Sequence, residues 1–184
     1  MNKEHALVQI SLYAAVIAVL GLFPKFLVPV IAIPITFQTL GVMLAGAMLG
    51  SKKGALAAIL FLFIVALGAP FLSGGRGGLG VFETPSVGFI LGFPVSAYAV
   101  GWMMSRLKDK SIFFATLNSS LFGGVLILYL PGVFGLALKT NLDFFEAFLM
   151  CTIFLPGDVL KAVIVGLVVQ SIYRTLPSAI LSRL

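Results

Sequence analysis

From its N-terminus the chain is a series of apolar runs separated by short polar or glycine- and proline-rich joints. The first run, Ala6 to Phe23, ends before Pro24-Lys25. The second starts near Ile35 and stops at Gly50, with Gln38 flanked by Thr36 and Thr39 in its opening turn. Ser51-Lys52-Lys53 reads as a tight basic turn, followed by a third run from Gly54 to Gly68 that Pro70 closes. A fourth covers Ser86 to Leu107, a fifth Ile112 to Leu138 and a sixth Phe144 to Leu176. Runs of about 20 apolar residues are the length of a membrane-spanning helix. Proline removes a backbone donor and crowds the carbonyl four residues back. Breaks are therefore expected near Pro131-Gly132 in the fifth run and at Pro156-Gly157 in the sixth. The connector holding Pro24, Pro29 and Pro34 is expected to be largely extended. No repeat of fixed period is present.

Composition agrees with the pattern. Of 184 residues, 60% are hydrophobic and 10% charged, with a mean hydropathy of +1.17, against about 45–50% and about 25% in soluble domains. The fold expected is all-α and integral to the membrane: one domain, 1–184, of six transmembrane helices with no aqueous domain. Lys3 before an apolar run suits a signal peptide, but no small-residue cleavage site follows, so a retained first helix is expected.

The net charge of +6 does not indicate nucleic acid, because the basic residues stand singly or in pairs in short joints. With six spans and the N-terminus inside, the inner segments hold Lys3, Lys52, Lys53, Arg106, Lys108, Lys110, Arg174 and Arg183. The outer ones hold Lys25, Arg76 and Lys139. Cytoplasmic loops carry the excess of Lys and Arg, so the topology is N-in/C-in. Trp102, near the inner end of the fourth helix, sits where an interfacial aromatic belongs.

The polar residues inside the apolar runs carry the functional signal. Asp158 and Lys161 lie three apart in Leu155-Pro156-Gly157-Asp158-Val159-Leu160-Lys161 and so share a helix face. An ionised group in hydrocarbon costs roughly 2.5–3.5 kcal/mol even on the gentler insertion scale. The pair either bridges to itself or serves a ligand. Counting back from Arg174 at about 1.5 Å per residue places Lys161 in the outer half of the membrane. Gln38 and the loop Ser73-Gly74-Gly75-Arg76-Gly77-Gly78-Leu79-Gly80 fall on the same side. The GxGxxG match at Gly75, Gly77 and Gly80 follows no strand and is no dinucleotide fingerprint. Its glycines instead let backbone approach a ligand beside Arg76, or form an ordinary surface loop. Ala14 and Ala18 make a small-residue stripe on the first helix, suited to close helix approach within the chain or with a partner.

These features converge on a pocket open to the outside, for a small ligand that is polar at its ends and apolar between. Enzyme chemistry has no support: there is no histidine but His5, no clustered carboxylates, no nucleophile with a base, and no GxxxxGK[ST] for ATP. A lone Cys151 excludes an internal disulfide and a multi-cysteine metal site. Neither cofactor nor metal is expected.

Three blocks together resemble a known family. They are Pro34-Ile35-Thr36-Phe37-Gln38-Thr39-Leu40 with Gly41 and Gly46, then Gly74-Gly75-Arg76-Gly77-Gly78, then Pro156-Gly157-Asp158-Val159-Leu160-Lys161. In this order and at these spacings the chain resembles the BioY family, the biotin-specific substrate-binding (S) components of energy-coupling factor (ECF) transporters. The resemblance implies the six-helix S-component fold in a bacterial inner membrane. It implies biotin bound near the outer face, sealed by the loop between the first two helices, with the glycine-rich loop closing on it. Asp158 would meet the ureido N–H groups and Lys161 the valerate carboxylate. Ala14 and Ala18 would dock on a transmembrane coupling subunit that connects to a pair of ATPases. One segment departs from the family: Glu83-Thr84-Pro85-Ser86-Val87-Gly88-Phe89 stands where a Gly-Pro-Thr-Gly-Gly-Tyr-like run is usual. Two other readings compete, an autonomous ion-coupled carrier of a small carboxylate and a non-transporting scaffold.

Overall fold

The computed structural model describes residues 3–23 and 35–183. The proline connector, with Pro24, Lys25, Pro29 and Pro34, lies outside the described residues, so the extended conformation and the sealing role expected of it are not addressed. Among the described residues there are six helical runs: α1 (Lys3–Gly21), α2 (Gln38–Leu49), α3 (Ser51–Ala66), α4 (Val87–Arg106), α5 (Ile112–Thr140) and α6 (Phe144–Thr175). Four of them, α1, α4, α5 and α6, are long and apolar enough to cross a membrane. At 12 residues, α2 spans only about 18 Å. Its first residue, Gln38, is accordingly buried within the protein.

Two local expectations change. Ser51-Lys52-Lys53 is not a turn but the first turn of α3. The chain reverses at Gly50 alone, whose φ of 82° is open to glycine without steric strain. α5 does not break at Pro131-Gly132 but runs helically through it. The irregularity lies just upstream, a π-helical turn at Phe122–Ile127. Proline crowds the carbonyl four residues before it, which is that of Ile127, and a widened turn ending there makes room without a break. The expected re-start in the sixth run does occur: α6 passes through a 3-10 turn at Thr152–Phe154 and resumes at Leu155 with Pro156 in its first turn. There the missing N–H is harmless.

Packing is built around α2 and α4. One apolar cluster joins Ala14, Ile17, Val42, Phe61 and Phe93; the other joins Met43, Met104, Leu136, Val165 and Ile180. Lipid is as apolar as leucine, so tight helix contact rather than water exclusion holds such interfaces. A Cβ on Gly46 would meet the Ala97 carbonyl oxygen at 2.4 Å, and one on Gly88 the Pro131 carbonyl oxygen at 1.8 Å. The lipid-facing rows keep large apolar side chains, such as Phe63, Leu91 and Phe134, exposed.

Candidate functional site

The recess lies at the outer end of the bundle, between the start of α2, the loop before α4, the first turns of α4 and the middle of α6. Its walls are largely apolar: Leu72, Phe89, Ile90, Phe93 and Phe154. Phe89 stands edge-on to both Tyr129 (5.8 Å, 81°) and Phe154 (6.0 Å, 81°), the offset geometry that aromatic quadrupoles favour. The concavity measures about 550 Å³ with its mouth but holds only about 60 Å³ of free space.

One polar pole is formed by α6, α2 and α5. Asp158 and Lys161 are 4% and 6% exposed. Lys161 Nζ donates to Asp158 Oδ1 at 2.8 Å and to Thr39 Oγ1 at 3.0 Å. The Thr39 hydroxyl passes the chain on to Asp158 Oδ1 at 3.3 Å. Tyr129 on α5 donates its phenol O–H to Asp158 Oδ2 at 2.7 Å. The two charges do bridge to each other, as one of the two readings had it, but they sit in a network of four side chains from three helices. A carboxylate has about four acceptor sites, so three donors leave one on Oδ2. Thr39 and Tyr129 were not singled out as site residues. Thr39 stands out in the sequence as a neighbour of Gln38 within the Pro34-to-Leu40 block, and Tyr129 only as a lone hydroxyl in an apolar run.

Arg76 also lines the recess. Its Nε donates to the Ser73 carbonyl at 3.2 Å and its Nη1 to Ser86 Oγ at 3.5 Å, and Ser86 lies 2.9 Å from the Thr84 hydroxyl. Both Arg76 partners are neutral oxygens, so the cation retains its pull on an anion. Partial burial holds the guanidinium below its usual pKa range.

The remaining candidates have supporting places. Gln38 lines the recess, but both ends of its amide are engaged: Nε2 donates to the Phe71 carbonyl at 3.2 Å and Oε1 accepts from Ser73 N–H at 3.2 Å. It ties the start of α2 to the loop. Gly74, Gly75, Gly77 and Gly78 are not among the lining residues; they shape the loop that presents Leu72 and Arg76. Leu72 and Arg76 exchange backbone hydrogen bonds at 2.9 and 3.1 Å around Gly74-Gly75, which have φ of 82° and 71°. A Cβ on Gly77 would strike the Ala69 carbonyl oxygen at 2.2 Å. In the departing segment Ser86 and Phe89 line the recess, while Glu83 is exposed and outside it.

Ala14 and Ala18 belong to the apolar cluster and are 3% and 9% exposed. They form the floor of a groove of about 450 Å³ between α1 and α3, whose rim includes the exposed Ser11, Ala15 and Val19. Among the described residues no group of three or more His, Cys, Asp or Glu side chains converges to hold a metal ion.

Residues 1–178 match the model of the BioY family. The chain is 41% identical over 180 residues to "Biotin transporter BioY" of Rhizobium etli, covering 94% of this chain and 96% of that one. It is 40% identical over 190 residues to the protein of the same description in Rhodobacter capsulatus, covering 98% and 99%. Among solved structures it is similar to the S-component for biotin from an ECF-type ABC transporter, with a TM-score of 0.88, 27% identity and 95% of each chain covered.

Proposed function

The chain belongs to the BioY family, and from that premise we infer that it is the biotin-binding S component of a bacterial ECF transporter. It is a multi-pass membrane protein and a transporter subunit, not an enzyme. It takes biotin from the outer side and hands it inward with partners that hydrolyse ATP. The observation that carries the reading is the buried Asp158–Lys161–Thr39–Tyr129 network beside an aromatic-walled recess that the Arg76 cation also lines.

Biotin presents two ureido N–H donors on an apolar bicycle and a carboxylate at the end of an alkyl chain. Asp158 is the acceptor suited to the ureido donors, and it retains a site on Oδ2 for one of them. The second site opens when Lys161 Nζ leaves Oδ1. The aromatic walls take the bicycle and chain. The carboxylate then falls to a cation: Lys161, once released from Asp158, or Arg76, whose present partners are neutral. Gln38 and the glycines hold the loop that carries Arg76. Competition between biotin and its carboxamide on the purified protein tests this division, since only the acid should lose affinity when the reading cation is removed.

Assembly with a transmembrane coupling subunit is proposed along the α1–α3 groove, with Ala14 and Ala18 as its floor. The exposed rim residues Ala15 and Val19 would make the first contact. Small side chains at a helix interface allow the close approach this requires.

A further inference from the structure

The two halves of α5 face the core in different registers. In the inner half the buried residues come in pairs four apart: Ala115-Thr116, Ser119-Ser120 and Gly123-Gly124. The next pairs are Leu128-Tyr129 and Gly132-Val133, so the step across the π-helical turn Phe122–Ile127 is five. One residue is in excess there. At about 100° per residue, the widened turn is what keeps Tyr129 on the buried side, within reach of Asp158.

This stretch is held loosely for the middle of a helix. Pro131 has no N–H, so the Ile127 carbonyl receives no bond from the position four residues on. Tyr129 therefore stands between a π-helical turn and a missing helical bond, two features at which helices bend. Thr116, one turn earlier, donates its hydroxyl to the Ile112 carbonyl at 2.8 Å. Ser119 and Ser120 are fully buried, and their hydroxyls have no partner among the described residues. They are spare donors in the turn before the widened one, free for carbonyls that it releases on changing shape. A Cβ on Gly124 would lie 2.4 Å from the Met43 methyl, and methionine is a side chain that repacks readily.

The ligand's demand on Asp158 supplies the drive. A ligand shifts such an equilibrium only through contacts that differ between the two states, and here that contact is the Tyr129–Asp158 bond. The carboxylate already accepts from Lys161, Thr39 and Tyr129, and it offers about four acceptor sites. Two ureido N–H groups would bring the donors to five, so the carboxylate turns and its present donors follow or yield. Tyr129 packs edge-on against Phe89, and a Cβ on Gly132 would strike the same ring at 2.5 Å. Phe89 lines the recess, so a shift of α5 here moves a wall of the site. On the reading that biotin binds at Asp158, we propose that residues 122–131 are a hinge. Occupation of the recess swings the outer half of α5 through Tyr129, while the inner half, Ile112–Leu121, stays packed.

Hydrogen–deuterium exchange of the purified full-length chain, with and without saturating biotin, tests the hinge. Biotin should change the exchange of residues 119–131 by about threefold or more and leave that of residues 112–118 unaltered. Deleting Leu126, whose side chain is exposed, leaves an ordinary α-helical turn with Tyr129 on the same face. That variant should bind biotin, associate with it about threefold more slowly in stopped flow, and lose the exchange response. Pro131→Ala supplies the missing N–H and should show the same changes in smaller degree, whether or not the deletion folds. Normal biotin binding with unaltered exchange at residues 119–131 overturns the hinge alone. So does a folded variant of either kind whose association rate and exchange response equal those of the wild type. Failure of the wild-type chain to bind biotin in a titration overturns the biotin reading, and the hinge with it.

Discussion

Tyr129 on α5 donates its hydroxyl to Asp158 Oδ2 on α6 at 2.7 Å, joining two helices through the carboxylate that the recess is built around. A hydrogen bond to a charged group contributes about 1.5–3 kcal/mol. Here it also fixes which way the carboxylate faces. Tyr129→Phe keeps the ring packed against Phe89 and removes only the donor. Biotin affinity is expected to fall roughly ten- to hundredfold, with little change in the protein's secondary structure. Isothermal titration checks it, and a change smaller than twofold would show that the phenol does not orient Asp158.

The two cations can be separated by ligand chemistry. Arg76→Gln and Lys161→Ala should each be titrated with biotin and with biotin carboxamide. The residue that reads the carboxylate loses affinity for the acid by roughly ten- to hundredfold, as for a charged hydrogen bond, and barely for the amide. The engagement of Lys161 with Asp158 and Thr39 favours Arg76 as that residue. If Arg76→Gln weakens both ligands equally, Arg76 shapes the loop and does not meet the carboxylate.

Gln38 tests the loop. Gln38→Met keeps the volume but strands the Phe71 carbonyl and Ser73 N–H, a loss of about 1–3 kcal/mol for each buried group left unpaired. The melting temperature should drop and biotin should leave faster, with binding stoichiometry unchanged. Stopped-flow dissociation measures this. An unaltered off-rate would mean that the clamp between α2 and the loop does not govern ligand release.

Partner docking needs a residue whose enlargement spares the fold. Ala14 and Ala18 are too buried for that, since a tryptophan there would push α1 off α3. Ala15 lines the same groove and is exposed. Ala15→Trp should bind biotin normally yet lose most uptake in cells that carry the energising subunits. Full uptake with normal complex assembly would place the docking surface elsewhere.

How much of this was legible in the sequence depended on whether the signal was local. Asp158 and Lys161 could be read because a charge in an apolar run stands out and the i, i+3 spacing fixes their shared face. The six helices followed from the apolar runs between polar joints, and the pause before Pro156 from proline chemistry. What could not be read was convergence. Thr39 lies 119 residues from Asp158 in sequence and nothing in its neighbourhood marks it as a partner. Phe89 and Phe154 look like any lipid-facing aromatic until the helices are packed. Pro131 misled because a widened turn at Phe122–Ile127 absorbs its clash without interrupting the helix. The turn at Gly50 was displaced onto Ser51-Lys52-Lys53 because lysines resemble a loop, whereas a single glycine at positive φ suffices to reverse the chain.

The central claim is that Asp158 is the acceptor for biotin's ureido group. It is tested most directly by titrating the detergent-purified chain with biotin, with aspartate and with asparagine at position 158. The amide replaces an acceptor with a donor and leaves size unchanged, and melting and gel-filtration profiles report whether the variant folds. The wild-type chain should bind one biotin tightly and folded Asp158→Asn at least a hundredfold more weakly. Binding by the folded variant within twofold of wild type would contradict the account.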